Sequence, residues 1–147
     1  MKTLREIIRP GFIFGVQRDA SVADAARTMT TNNVGIVVVF GGDRLVGVLS
    51  ERDIVRRVVD CGLDPAATPV AEVMTTELVV AQADEDYRSA MRTMDQHNIR
   101  HLPVVSGDRL LSMLSIRDLL RVDLEDKGQE LRALHEYLYQ MPPGGTA

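Results

Sequence analysis

Residues 42–53 read Gly42-Asp43-Arg44-Leu45-Val46-Gly47-Val48-Leu49-Ser50-Glu51-Arg52-Asp53. Residues 107–118 read Gly107-Asp108-Arg109-Leu110-Leu111-Ser112-Met113-Leu114-Ser115-Ile116-Arg117-Asp118, 65 positions later. The same offset carries 13–56 onto 78–121 without a gap, and 17 of those 44 positions are identical. Stretches of average composition would agree at roughly one position in fifteen. The chain is therefore an internal duplication, and its fold is one unit written twice.

Each copy opens on a short apolar run, 13–16 or 78–81. Ser21 and Asp86 stand where a helix cap belongs. Behind Ser21, Val22, Ala25, Ala26 and Met29 recur on one helical face through about Asn33; behind Asp86 come Ala90, Met91 and Met94. The run 35–40 is β-branched and too short for a helix, so it reads as a buried strand. Residues 41–44 and 106–109 are hairpin turns rich in Gly and Asp. A second strand (45–49, 110–114) leads to Ser50 or Ser115 and another helix. The order is β-α-β-β-α in each copy, a mixed α/β (α+β) fold. Gly62-Leu63-Asp64-Pro65 and Thr68-Pro69 punctuate a linker. Leu131, Leu134, Leu138 and Met141 recur at helical spacing over 125–141, and Pro142-Pro143-Gly144-Gly145 ends that pattern. A unit of about 50 residues buries too little surface to stand alone. Two copies packed about a pseudo-twofold axis solve that problem. The expected division is 1–64 for the first unit with its N-terminal segment, 65–124 for the second, and 125–147 for a C-terminal helix and tail.

Composition removes several functions. The 147 residues carry a net charge of −4, a pI near 5.3, 4% aromatics and no Trp. That surface suits neither a nucleic-acid backbone nor stacked bases. Cys61 is the single cysteine, which precludes an intrachain disulfide and fits a reduced interior. No run of eighteen apolar residues predicts a membrane span, and the N-terminus lacks the marks of a signal peptide. A cytoplasmic protein is expected. His97 and His101 are four apart, but one ends a helix and the other begins a strand, with no converging Cys or carboxylate, so no metal site is expected. Neither a Ser–His–Asp set, a carboxylate pair nor a glycine-rich phosphate loop is suggested. The chain does not read as an enzyme.

What remains is the doubled Ser-x-x-Asp, Ser50 to Asp53 and Ser115 to Asp118, each where a strand turns into a helix. One reading is a capping box, in which Ser accepts from a backbone N–H and the acid bonds back. The other is a nucleotide site. The helix N-terminus offers N–H groups to phosphate, the carboxylate can accept both ribose hydroxyls, and Arg52 or Arg117 adds a fork-shaped donor. The two readings can coexist.

Here the chain resembles the tandem CBS (cystathionine β-synthase) repeat, or Bateman module, over about residues 12–122. The resemblance rests on the Ser-x-x-Asp entries, the Gly-Asp-Arg-Leu hairpins and the run Ile99-Arg100-His101-Leu102-Pro103-Val104. It implies adenine between strands of the sheet, ribose held by Asp53 and Asp118 with Ser50 and Ser115 in support, and phosphates near Arg52, Arg100, His101 and Arg117. Gly35, Ile36, Ile99 and Pro103 complete the candidate nucleotide-binding set. Where the second copy has Arg100-His101-Leu102-Pro103, the first has Gly35-Ile36-Val37-Val38, and Ser112 replaces Gly47. Two unequal cavities follow. The expected function is a regulatory module that senses AMP, ADP, ATP or NAD(H), with no obligatory cofactor. It would act on a protein partner through a conformational shift and pair as an isologous homodimer. The alternative is a structural dimerisation or assembly module in which both boxes serve only as caps.

Overall fold

The computed structural model describes residues 2–9 and 13–140, without the side chains of 137–140. The stop signal at 142–145 lies outside those residues. The elements run α1 (Leu4–Ile7), β1 (Gly15–Gln17), α2 (Val22–Asn32), β2 (Ile36–Gly41), β3 (Arg44–Ser50) and α3 (Glu51–Ile54), then β4 (Ala81–Gln82), α4 (Tyr87–His97), β5 (His101–Ser106), β6 (Arg109–Ser115) and α5 (Ile116–Gln140). Helix α3 winds on as a π-helix over Val55–Val59, and the linker holds a 3-10 turn at Val70–Glu72. The sheets are β1-β2-β3 and β4-β5-β6, each a parallel edge strand beside an antiparallel hairpin. The expected mixed α/β duplication is what forms.

The repeat extends to details of register. Ile36 lies opposite Ser50 and His101 opposite Ser115, and the hairpins bulge at the equivalent steps Val39/Phe40 and Val104/Val105. Ser21 caps α2 by accepting from Asp24 N–H, and Asp86 caps α4 by accepting from Arg88 N–H. Both helices end on an asparagine in the left-handed region, Asn33 at φ 52° and Asn98 at φ 53°, a conformation Asn tolerates better than most residues. The hairpin loops open on Gly42 and Gly107 at φ 65° and 59°, as two-residue turns require.

Two elements differ from expectation, each for a local reason. The edge strand expected over 78–81 forms only at Ala81–Gln82. In the first unit Val38 N–H donates to the Phe14 carbonyl at 3.0 Å; the equivalent residue in the second unit is Pro103, which has no N–H to give. The second difference is that the last helix of the second unit and the C-terminal helix are one continuous α5. The first unit's helix stops near Gly62, at φ 69°, with Pro65 beyond it, whereas no such breaker interrupts 116–127. Tyr87, fully buried, fastens the extension by reaching Asp126 Oδ2 at 2.7 Å and Asp123 Oδ1 at 3.1 Å.

Packing order crosses chain order. Leu4 is fully buried in the core of the second unit, with Tyr87, Met94, Leu102 and Leu119. Val70 and Val73 of the linker sit in the core of the first, with Met29, Val37 and Leu49. Burying a side chain such as Leu4 is worth about 1.5–3 kcal/mol. The backbone repeats the exchange. Leu4 and Arg5 N–H donate to the carbonyls of Glu85 and Ala83, and Val70 and Ala71 N–H to those of Ala20 and Arg18. Each unit is completed by the segment that precedes the other.

Candidate functional site

Between the units lies a cleft of about 1020 Å³. Its position follows from the register. Because His101 pairs with Ser115 and Ile116 N–H donates to the Arg100 carbonyl at 2.8 Å, the start of β5 lies beside the start of α5. Arg100, His101, Ser115, Arg117 and Asp118 therefore line one cavity, and Gly35 and Ile36 of the first unit line it from across the pseudo-twofold axis. Seven of the twelve residues singled out in the sequence meet there.

The other five do not border this cleft. Ile99 lines a smaller groove of about 440 Å³ with Met91 and Asn98. Pro103 is buried within β5, paired with Met113. Arg52 is exposed on α3. Ser50 and Asp53 form their own box in the first unit, closed by neighbours that the second unit lacks.

Both boxes are capping boxes in geometry. Ser115 N–H donates to Asp118 Oδ2 at 3.1 Å, Asp118 N–H donates to Ser115 Oγ at 3.2 Å, and the Ser115 hydroxyl donates to Oδ2 at 2.9 Å. In the first unit Ser50 N–H donates to Asp53 Oδ2 at 3.0 Å, and Asp53 N–H to Ser50 Oγ at 3.1 Å. Beyond that the copies part. The Thr75 hydroxyl lies 3.3 and 3.4 Å from the two Asp53 oxygens, and Arg57 Nε stands 3.9 Å from Oδ1. Arg57 also donates to the carbonyls of Val73 and Met74 at 3.0 and 3.1 Å, which clamps the linker onto the first unit. The carboxylate of Asp53 is 14% exposed. Asp118 lines the cleft, and among the described residues no hydrogen-bond donor reaches its Oδ1.

The residue at the Arg57 position of the second unit is Val122, which is buried and lines the cleft. Ser112, in place of Gly47, holds the Arg9 carbonyl at 3.2 Å. At Gly47 there is no room for such a side chain: a Cβ would meet Met74 Sδ at 2.6 Å and the Thr75 carbonyl oxygen at 2.9 Å. The surroundings of the two carboxylates therefore differ.

Several residues that border the cleft were not among the candidate site residues: Arg9, Glu51 and Arg121, and Ser112, which the sequence marked only as a difference between the copies. The basic group is thus Arg9, Arg100, Arg117 and Arg121 with His101, against the carboxylates of Asp118 and Glu51. Burial pushes the His101 imidazole below its ordinary pKa; Asp118 and Glu51 oppose that shift and Arg100 adds to it. An anion that displaces water and approaches His101 would favour the protonated ring. Among the described residues, no group of three His, Cys, Asp or Glu is placed to hold a metal, and no helix is long and apolar enough to cross a membrane.

The chain shares these features with known proteins. The CBS domain family model matches residues 4–60 and 70–125. Over 125 residues the chain is 34% identical to a mitochondrial CBS domain-containing protein of Arabidopsis thaliana, a match that covers 82% of this chain and 61% of that protein. The chain therefore spans less than two thirds of that relative. A CBS-domain protein from Burkholderia ambifaria MC40-6 has the same fold at a TM-score of 0.81 and 32% identity, over 85% of this chain and 96% of that one. A CBS domain protein from Pyrobaculum aerophilum, solved complexed with AMP, matches at a TM-score of 0.71 and 30% identity, over 80% and 89% of the two chains. Proteins of this kind are in general regulatory modules rather than enzymes. By family model, sequence and fold together, the chain belongs to the CBS-domain family and carries two such domains in tandem.

Proposed function

We propose that this chain is a regulatory, non-catalytic module that binds one adenosine-containing ligand in the cleft of the second unit and signals to a partner by a change of conformation. The carrying observation is the unequal state of the two carboxylates. Asp118 lines the cleft beside a basic wall and its Oδ1 meets no donor among the described residues, while Asp53 is occupied by Thr75 and Arg57. Asp118 accepts the ribose hydroxyls, with Ser115 beside it. The phosphate turns away from that carboxylate toward Arg100 and His101, with Arg117 and Arg121 nearby, because like charges repel and a guanidinium gives phosphate a paired donor. The volume suits a ligand of nucleotide size. The AMP complex of the Pyrobaculum aerophilum relative supports the ligand class. AMP, ADP, ATP and NAD(H) all fall within it.

A row of exposed apolar residues supports pairing of two copies. Val55 and Val59 in the first unit and Leu120 and Leu124 in the second occupy equivalent positions, and all four are largely solvent-facing. Pseudo-twofold placement of one apolar face suits an isologous homodimer. The same row is what favours the second reading, an assembly module with no ligand. Calorimetric titration with AMP separates the two. Saturable binding at one site per chain supports the sensor, and no binding by any adenine nucleotide from a protein that still dimerises supports the assembly module.

A further inference from the structure

The pseudo-twofold axis sets unlike chemistry on the two sides of the cleft. Glu51 and Ile116 are equivalent residues, as are Gly35 and Arg100, and Ile36 and His101. Their backbones are held alike: Glu51 N–H donates to the Gly35 carbonyl at 3.0 Å, and Ile116 N–H to the Arg100 carbonyl at 2.8 Å. One side of the cleft thus presents Arg100, His101 and the apolar Ile116. The other presents Gly35, Ile36 and a carboxylate. The Glu51 side chain occupies the space that Gly35 leaves, with Oε2 3.5 Å from where a Cβ on Gly35 would lie. Among the described residues it has no hydrogen-bond or ion-pair partner. Its charge also reaches His101, so the two groups face the same space.

We propose that Glu51 is a specificity-determining residue that restricts the site to adenosine ligands with a single phosphate. The inference rests on the proposed placement of ribose on Asp118 and phosphate on Arg100 and His101. A phosphate chain that begins there and lengthens crosses toward the first unit. A second basic pair would welcome it if position 35 were Arg, as position 100 is. Instead the β- and γ-phosphates meet an unpaired carboxylate. AMP ends before that point, whereas ATP adds negative charge at it. Glu51 does not touch the preferred ligand; it acts by excluding the longer ones.

The test is isothermal titration with AMP and ATP in EDTA, on wild type, Glu51→Gln and Glu51→Ile. Glutamine keeps the shape and removes the charge, and isoleucine is the residue of the equivalent position. Glu51 is exposed, so both variants should fold. Wild type should bind AMP more tightly than ATP. Both variants should bind ATP about tenfold more tightly than wild type and AMP within about threefold of wild type, the size expected of one charge a few ångströms from another at a partly solvated site. The gap between AMP and ATP should also narrow with added salt in wild type and less so in Glu51→Gln. If ATP binds wild type as well as AMP does, or if Glu51→Gln leaves the ratio unchanged, Glu51 has no selective role. In that event Asp118→Ala still tests the site itself: loss of AMP binding there keeps the site reading. Failure of wild type to bind either nucleotide overturns both.

Discussion

Removing one carboxylate from each unit should separate binding from stability. Asp118→Ala takes away the proposed acceptor for two ribose hydroxyls. Hydrogen bonds to a charged group are worth about 1.5–3 kcal/mol each, less what water recovers, so a combined loss of about 3–4 kcal/mol is expected, or a 100- to 1000-fold weaker Kd for AMP. Its structural cost is small. Ser115 still caps the helix by accepting from N–H of residue 118, and the bonds from Ser115 N–H and the Ser115 hydroxyl to the carboxylate are lost, about 1–2 kcal/mol. Asp53→Ala should do the reverse. It releases Ser50 N–H, the Thr75 hydroxyl and the Arg57 contact together, and the cost should be about 2–3 kcal/mol. AMP affinity should stay within about threefold of wild type. The assay is calorimetric titration beside a thermal melt. AMP at a hundredfold excess over Kd stabilises by about 2.7 kcal/mol, which for a chain of this size is a rise of roughly 5–10 °C in Tm. Asp53→Ala should melt lower yet show that rise, and Asp118→Ala should melt near wild type and not show it. Equal loss of binding in both variants, or a full AMP shift in Asp118→Ala, would refute the assignment of the site to the second unit.

Three further outcomes can be checked. His101 is held below its ordinary pKa by burial, so it is neutral in the free protein at neutral pH, and a bound phosphate raises its pKa again. AMP affinity should therefore rise several-fold as pH falls from about 8 to about 6.5, until the phosphate takes its own second proton near pH 6; titrations in two buffers of different ionisation enthalpy would register the proton uptake, and His101→Gln should flatten the profile. In the free protein the same depressed pKa contributes stability that is present above the unfolded value and lost as pH falls through both values, so His101→Gln should lessen the acid sensitivity of the melt. Gly47→Ser would place a Cβ 2.9 Å from the Thr75 carbonyl oxygen and should cost about 1–3 kcal/mol in urea denaturation, although Ser occupies the equivalent position 112. Tyr87→Phe removes the hydroxyl that joins α4 to Asp123 and Asp126 and should cost about 1–3 kcal/mol, with lower helicity by circular dichroism as α5 loosens beyond Val122; unchanged helicity would mean the extension is held by other contacts.

The sequence was most informative where local signals and duplication agreed. Ser21 and Asp86 as caps, the Gly-Asp loops, and the strand-to-helix entries at Ser50 and Ser115 all fall where their chemistry puts them, because each depends on residues within a few positions. Pro103 was legible as a mark of the second unit. Its effect, a shortened β4, required knowing that the missing N–H would have faced the neighbouring strand. The exchange of segments between units left no comparable signal. Leu4 looks like any apolar residue near a terminus, and only the paired bonds of Leu4 and Val70 to the opposite units reveal where it packs. For the site, the repeat named both acids but did not rank them. The ranking depends on Thr75, which lies in the linker, and on Arg57, one position past the end of the aligned segment.

That last position explains why one cleft stays open. At the end of the unit the two copies diverge to Arg57 and Val122. The long cation reaches back to the Val73 and Met74 carbonyls and draws the linker, with Thr75, over the first carboxylate. Valine packs into the core instead, the segment that carries Arg9 is held by Ser112, and among the described residues no donor reaches Asp118 Oδ1. Gly47 and Ser112 follow from the same divergence. A linker seated that closely tolerates no side chain beneath it, whereas the second unit needs a hydroxyl to hold its segment from below. A chain of two identical units would have two equal sites or none. Three paired substitutions, Arg57/Val122, Gly47/Ser112 and Gly35/Arg100, cover one carboxylate and leave the other beside a basic wall, so a duplicated scaffold comes to present a cleft whose two sides differ in charge.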